Sequence, residues 1–174
     1  FQKFAEVPKG HREGCSLVRR WTGGGLVDHR RDWTYTLAFP KNPPLSPDLY
    51  RGVHQALSKT IAETLNLETE VADSDHDAIR SQCFAEAGGH VEGDLLLSGQ
   101  KIAGAAHRRS RSRLLHQGSL QLPRWPADRP GFWRDFASRL ADEVVDWRPE
   151  DSVHELAAEL AELKYGNSNW LAKF

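Results

Sequence analysis

The chain has 174 residues with a formal net charge of −1; 39% are hydrophobic and 27% charged. That length suits one domain, 1–174, with a substantial core, and the balanced charge gives no reason to expect nonspecific nucleic-acid binding. No apolar run approaches the roughly 20 residues that span a bilayer, and two cysteines without Cys/His ligand spacing argue against a disulfide scaffold and a metal site.

The chain carries no secretion signal and no methionine, so the expected location is the cytoplasm and the start reads as trimmed. Cys15 to Arg20 reads as a buried strand, with Cys15 in the core. It runs into Arg19-Arg20-Trp21-Thr22-Gly23-Gly24-Gly25. Consecutive glycines reach backbone angles closed to other residues, and their bare N–H groups can approach a carboxylate, acyl carbonyl or phosphate. The upstream arginines can supply compensating charge. Taken alone, the triplet fits a surface turn equally well. His29 can both accept and donate a proton or hydrogen bond.

Thr34 to Phe39 alternates and is rich in β-formers, which predicts a strand. Pro40, Pro43 and Pro44 force a loop, and Ser46-Pro47-Asp48 predicts a helix start with Ser46 as N-cap. Tyr50, Val53, Leu57, Ile61 and Leu65 then place one stripe on the core. Short strands are expected near Thr69 to Ala72 and Ile79 to Phe84. Leu95 to Leu97, a Ser-Gly turn and Lys101 to His107 predict a hairpin, with another strand over Leu114 to Leu122. Beyond Pro123 the pattern turns helical. Pro130 opens one helix with Trp133, Phe136, Leu140 and Val144 inward. Ser152 and Glu155 form a capping box for the next, lined by Leu156, Leu160 and Leu163 and stopped by Gly166. Strands first and helices later indicate an α+β class, with a mixed or antiparallel β-sheet and helices packed against it.

Several residues carry possible chemistry. Lys101, between Gly99 and Gly104, reads as half-buried, and an ammonium there needs an anionic partner to keep its charge. A solvated turn lysine is the alternative. Gly104 and Gly118 both suggest close backbone approach of a ligand, though an ordinary bulge explains Gly118 as well. Cys83 is either a nucleophile, if a cation lowers its thiol pKa, or a small buried hydrophobe. Arg108, Arg109, Arg111 and Arg113 read as a solvated strand edge, with docking of an acidic acceptor or phosphorylated arm as the alternative.

Four elements in order, Arg19 to Gly25 with His29 and Trp33-Thr34-Tyr35-Thr36-Leu37, then Gly99/Lys101/Ile102/Gly104/Ala106, then His116-Gln117-Gly118-Ser119, then Lys164-Tyr165 with Trp170, span nearly the whole chain. Together they resemble the lipoate-protein ligase and octanoyltransferase family, which shares its catalytic domain with biotin protein ligases. The resemblance implies that fold, with the opening helix and Trp-containing strand of relatives absent ahead of Phe1. It also implies substrate-binding roles for Arg20, Thr22, Gly23, Gly24, Gly25, His29, Gly104, Ala106, His116 and Gly118, and a catalytic Lys101 at the acyl carbonyl. Asp28-His29-Arg30 departs from the Tyr-His-Asp common in relatives.

Within that family, cysteine octanoyltransferases carry Cys-Phe before the lysine hairpin, as Cys83-Phe84 does here. This implies a catalytic Cys83 thioester, no cofactor and octanoyl-acyl carrier protein as donor. The implied acceptor is a lysine on a lipoyl carrier domain, either a 2-oxoacid dehydrogenase E2 or a glycine cleavage H-type protein. ATP-dependent ligases instead hold nucleotide and metal with an Asp ahead of the hairpin. Asp94 occupies that place, which implies ATP and Mg2+ at Asp94 and Lys101, with free lipoate as donor. Transferases of the first branch tend to carry Glu there, and the stretch Phe84 to Gly93 is longer than expected for them. The accessory domain of many ligases is not expected here, since the sequence runs only a few residues past Trp170. The transferase leads, the ligase is its rival, and a non-catalytic lipoate or acyl-carrier binder is a third reading.

Overall fold

The computed structural model describes residues 16–40, 48–76 and 89–172. Five strands form one sheet: β1 (Trp33–Pro40), β2 (Glu70–Val71), β3 (Leu95–Leu97), β4 (Gln100–Arg109) and β5 (Arg113–Leu120). Their order is β1-β5-β4-β3-β2, and every neighbouring pair is antiparallel. Among the described residues four α-helices accompany them: α1 (Leu49–Leu65), α2 (Arg129–Ser138), α3 (Asp151–Leu160) and α4 (Ser168–Leu171).

The period-2 pattern of β1 sets the two faces of the sheet. Trp33, Tyr35, Leu37 and Phe39 are half-buried, whereas Thr34, Thr36 and Ala38 are exposed. Directly paired residues share a face, so the register extends this division across the sheet. Leu120, Gly118, His116 and Leu114 on β5 lie on the helix side, with Ala103, Ala105 and His107 beside them on β4. Ser119, Gln117 and Leu115 lie on the opposite face, with Gly104, Ala106 and Arg108.

Helix α1 buries Leu49, Val53, Ala56, Leu57, Ile61 and Leu65 against Phe132 and Phe136 of α2 and against Leu95, Ile102, Ala103, Leu114 and Leu120 of the sheet. Each fully buried leucine or isoleucine contributes about 1.5–3 kcal/mol. Asn66, in the left-handed region at φ 50, ends α1 with its N–H on the Ala62 carbonyl. Helix α2 opens with Pro130 in its first turn and the Asp128 carboxylate accepting from the Gly131 N–H.

Some expectations need correction. Residues 16–20 form no strand, and Val18 is exposed, because this segment lies against the tail rather than pairing with the sheet. Phe136 is buried and Trp133 and Leu140 pack against the core, but Val144 is exposed because α2 ends at Ser138. Helix α3 begins at Asp151 after an N-cap Glu150 that makes no side-chain cap, so Ser152 and Glu155 do not form a capping box. Leu156, Leu160 and Leu163 are exposed; among the described residues no core element covers α3. The helix runs on through a π-turn over 161–165 and stops at Gly166. Helix α1 starts at Leu49 after Asp48; Cys15, Ser46, Pro47 and the strand expected over 79–84 lie outside the described residues.

Candidate active site

Lys101 owes its position to an irregularity in the sheet. Leu95 pairs with Ala103 but Leu96 pairs with Lys101, so the register slips and Ile102 is extra on β4. Side chains three residues apart on a regular strand point to opposite faces. The slip brings Lys101 and Gly104 onto the same one. A methyl group at Gly104 would stand 2.6 Å from Lys101 Cε and 2.8 Å from its Nζ. The glycine is there because the lysine folds over it.

Asp94 supplies the anion that a half-buried ammonium requires. Its Oδ2 lies 2.7 Å from Lys101 Nζ, with the carboxylate fully buried and the lysine side chain 10% exposed. Oδ2 also accepts from the Val91 N–H at 2.8 Å, and Oδ1 accepts from the Tyr50 hydroxyl at 2.6 Å. Both oxygens therefore have protein donors. Among the described residues no group of three or more His, Cys, Asp or Glu side chains is placed to hold a metal.

The glycine loop lies over the same face of the sheet. Thr22, buried, donates from Oγ1 to Gln117 Oε1 at 2.9 Å, and Gln117 is the cross-strand neighbour of Ala106. Arg20 folds back across the loop, donating to Thr22 Oγ1 at 2.8 Å and to the Gly25 carbonyl at 3.3 Å. Gly24 has φ +100, and a methyl there would stand 2.6 Å from the Arg20 guanidinium. His29 is exposed and pairs with Asp32 at 2.7 Å. Asp32 in turn accepts from Ser119, the cross-strand neighbour of Gly104. The sequence reading missed Asp32; its only signal was a carboxylate three residues after a candidate histidine.

The tail clasps the entrance to this loop. Trp170 stacks on Trp21 with ring centroids 5.1 Å apart and donates its indole N–H to the Arg19 carbonyl at 2.8 Å. Arg19 Nε donates to the Leu171 carbonyl at 2.9 Å. Lys164 Nζ stands 3.6 Å and Arg108 Cζ 3.9 Å from the Trp21 centroid, each within cation–π range. Arg109, Arg111 and Arg113 are exposed at the β4–β5 turn. The arginine run is thus a hairpin tip between two interior strands; among the described residues the edges of the sheet are β1 and β2.

His116 and Gly118 face the helices and are not brought together with Lys101. A methyl at Gly118 would overlap the Tyr35 ring, so the close approach inferred there is made by that aromatic side chain. His116 is fully buried, with Nε2 3.3 Å from the Tyr35 hydroxyl and Nδ1 2.8 Å from His107 Nε2. His54 joins the cluster, donating from Nδ1 to the Gly93 carbonyl at 2.5 Å. Burial lowers all three imidazoles, His54 to about 4 and His116 to about 3. Cys83 lies outside the described residues. The structure thus groups Arg20, Thr22, Gly23 to Gly25, Asp94, Lys101, Gly104 and Ala106 on one side of the sheet, with His29 at its margin.

Residues 3–123 match the lipoyl protein ligase A/B catalytic domain. The chain belongs to this family. Octanoyltransferase LipM of Staphylococcus epidermidis is 30% identical over 130 residues, covering 68% of this chain and 46% of that protein. LipM of Geobacillus kaustophilus is 30% identical over 131 residues, covering 70% and 46%. The chain spans about half the length of these curated relatives. The fold agrees with Ta0514 of T. acidophilum, a lipoate protein ligase candidate solved with lipoic acid (TM-score 0.74, 18% identity, 99% of this chain and 79% of that one). It agrees also with a lipoate-protein ligase A bound with ATP (TM-score 0.71, 16% identity, 93% and 74%). The lipoyl ligase family fold therefore carries the site, with a wholly antiparallel sheet. Among the described residues no helix is long and apolar enough to cross a membrane.

Proposed function

We propose that this chain is the catalytic domain of an acyltransferase that moves an octanoyl or lipoyl group to a lysine of a lipoyl carrier domain through a Cys83 thioester. The observation that carries the reading is the Lys101–Asp94 pair held over Gly104, on the sheet face covered by the Arg19 to Gly25 loop. The similarity to LipM octanoyltransferases supports the same reaction class.

In the first step the Cys83 thiolate attacks the thioester carbon of an octanoyl-carrier donor. A new C–S bond forms as the carbonyl oxygen gains negative charge. Lys101 and the N–H groups of Gly23 to Gly25 face that oxygen, and stabilising it is the principal catalytic contribution. The oxyanion collapses, the donor thiolate leaves and takes up a proton, and the acyl group rests on Cys83. The neutral amine of the acceptor lysine then attacks the thioester carbon: the C–N bond forms, the C–S bond to Cys83 breaks, and the departing thiolate takes up the proton the amine sheds. Thr22, through Gln117, holds the loop in place, and Gly104 and Ala106 leave room for the acyl head. No external energy source is needed, since both donors are thioesters.

The ATP-dependent ligase is the rival reading. It would ask Asp94 to hold nucleotide and Mg2+, but both oxygens of that buried carboxylate already accept from Tyr50, Val91 and Lys101. Those three donors compete with a metal for the carboxylate, which favours the transferase reading. Incubation with octanoyl-acyl carrier protein followed by intact mass spectrometry tests the proposal. A thioester adduct that is absent in Cys83→Ser, with onward transfer to a lipoyl domain without ATP, is the expected result. Pyrophosphate release from ATP and lipoate, with no adduct, would replace the transferase by the ligase.

A further inference from the structure

We infer that Tyr50 is a positioning residue for the Lys101 site, acting through Asp94; this rests on the acyl-transfer reading above. The pairing of β3 with β4 begins only at Leu95. Leu95 pairs with Ala103, and in a continued ladder the Ala105 N–H would find its partner two residues earlier on β3. The chain has turned away by then, and the Ala105 N–H donates instead to the Tyr50 hydroxyl at 2.9 Å. That hydroxyl donates its own proton to Asp94 Oδ1 at 2.6 Å. A phenol has one proton to give and lone pairs to accept with. Here an acceptor-only carboxylate and a donor-only amide fix which does which.

The ring is held as firmly as the hydroxyl. It packs edge-on against His54 with centroids 4.6 Å apart and against His107 at 5.6 Å, both on the helix side of the sheet. Burial, reinforced by the neighbouring Asp94 charge, pushes the phenol well above its usual range, so it stays protonated. Tyr50 therefore reaches from the first turn of α1 past the end of β3 to the carboxylate that holds Lys101. With Tyr50 on Oδ1 and the Val91 N–H on Oδ2, the Asp94 carboxylate cannot rotate, and the ammonium is set over Gly104. Removing the phenol oxygen strands one carboxylate oxygen and one backbone N–H in a buried place. Lys101 is then the donor within reach of the stranded oxygen, and the ammonium turns from the acyl side.

The test combines kinetics with chemical labelling. In Tyr50→Phe, kcat for octanoyl transfer should fall at least tenfold while KM for the donor changes less than about twofold, as expected when a contact used in the transition state is lost. The effect should vanish in an Asp94→Asn background, since the tyrosine acts only through that carboxylate. Labelling of Lys101 by an amine-directed reagent, followed by peptide mass mapping, should change rate at least threefold in Tyr50→Phe. This second readout needs no turnover: a chain that transfers nothing refutes the acyl-transfer reading while the labelling still tests Tyr50. Should Tyr50→Phe fail to fold, 4-aminophenylalanine and 4-methylphenylalanine at position 50 fill the same volume and differ in the donor. The first should retain the wild-type values and the second should not. Unchanged kcat and labelling in a folded Tyr50→Phe, or equal behaviour of the two analogues, overturns the inference.

Discussion

Lys101 and Gly104 stand three residues apart on one strand, yet the ammonium of the first lies over the α-carbon of the second. Only the register slip opposite Leu95 and Leu96 allows this. A side chain at position 104 must therefore expel the lysine. In Gly104→Ala we expect acyl transfer to drop by roughly tenfold or more, with an overpacking cost of about 1–3 kcal/mol. Rate and thermal midpoint, measured on the same preparation, check both parts.

Lys101→Met removes the cation and leaves Asp94 buried with Tyr50 and Val91 as its remaining donors. Loss of an oxyanion donor typically costs about 100- to 1,000-fold in kcat. Breaking a buried ion pair by removing one partner costs about 3–5 kcal/mol. Denaturant unfolding should therefore register Lys101→Met as destabilised. The double variant Lys101→Met/Asp94→Asn should recover part of that stability and none of the activity.

Gly118 makes its room for a protein ring rather than for a ligand. Gly118→Ala forces Tyr35 to move, and we expect a stability loss of about 1–3 kcal/mol with little change in KM of the surviving folded fraction. A large KM effect at unchanged thermal midpoint would return Gly118 to the ligand.

The buried histidines predict an acid-sensitive fold. In the unfolded chain His54 and His116 take up protons below about 6.5, whereas in the folded chain they do so only near 4 and near 3. Between those values the unfolded state binds more protons, so stability falls as pH is lowered through that window. It is flat with respect to these groups above it. At pH 5 each contributes a loss of about 2 kcal/mol relative to pH 8. Denaturation midpoints measured from pH 8 to pH 4 should decline below about pH 6.5, and His116→Gln should flatten the decline.

The clasp at Trp21 couples the tail to the loop. Trp170→Ala removes the stack and the hydrogen bond to the Arg19 carbonyl, and should cost about 2–4 kcal/mol. Backbone amides of residues 19–25 should lose hydrogen-exchange protection ahead of those in β4 and β5. Equal protection in variant and parent would show that the loop holds its shape without the tail.

Much of this was legible before folding. The stripe from Tyr50 to Leu65 gave α1, the Ser-Gly turn gave the Lys101 hairpin, and the need for an anion beside Lys101 is met by Asp94. What the sequence withheld is mostly register. Parity along β5 depends on which β1 residue stands opposite, and without that pairing His116 and Gly118 look like partners of Lys101 rather than of Tyr35. The slip at Ile102 leaves no compositional mark. Tyr50 read only as a core position, because the use of its hydroxyl depends on where β3 stops. In helix α3 the leucines recur at helical spacing yet stand exposed, because spacing does not supply a surface to pack against.

A crystal structure of the chain with octanoate or lipoate bound would test the central claim most directly. The carboxyl oxygen should lie within hydrogen-bond distance of Lys101 Nζ and against the main chain of Gly23 to Gly25, on the sheet face that carries Ala106 and Gln117. A ligand seated on the helix side beside His54, His107 and His116, with Lys101 and the glycine loop untouched, would contradict it.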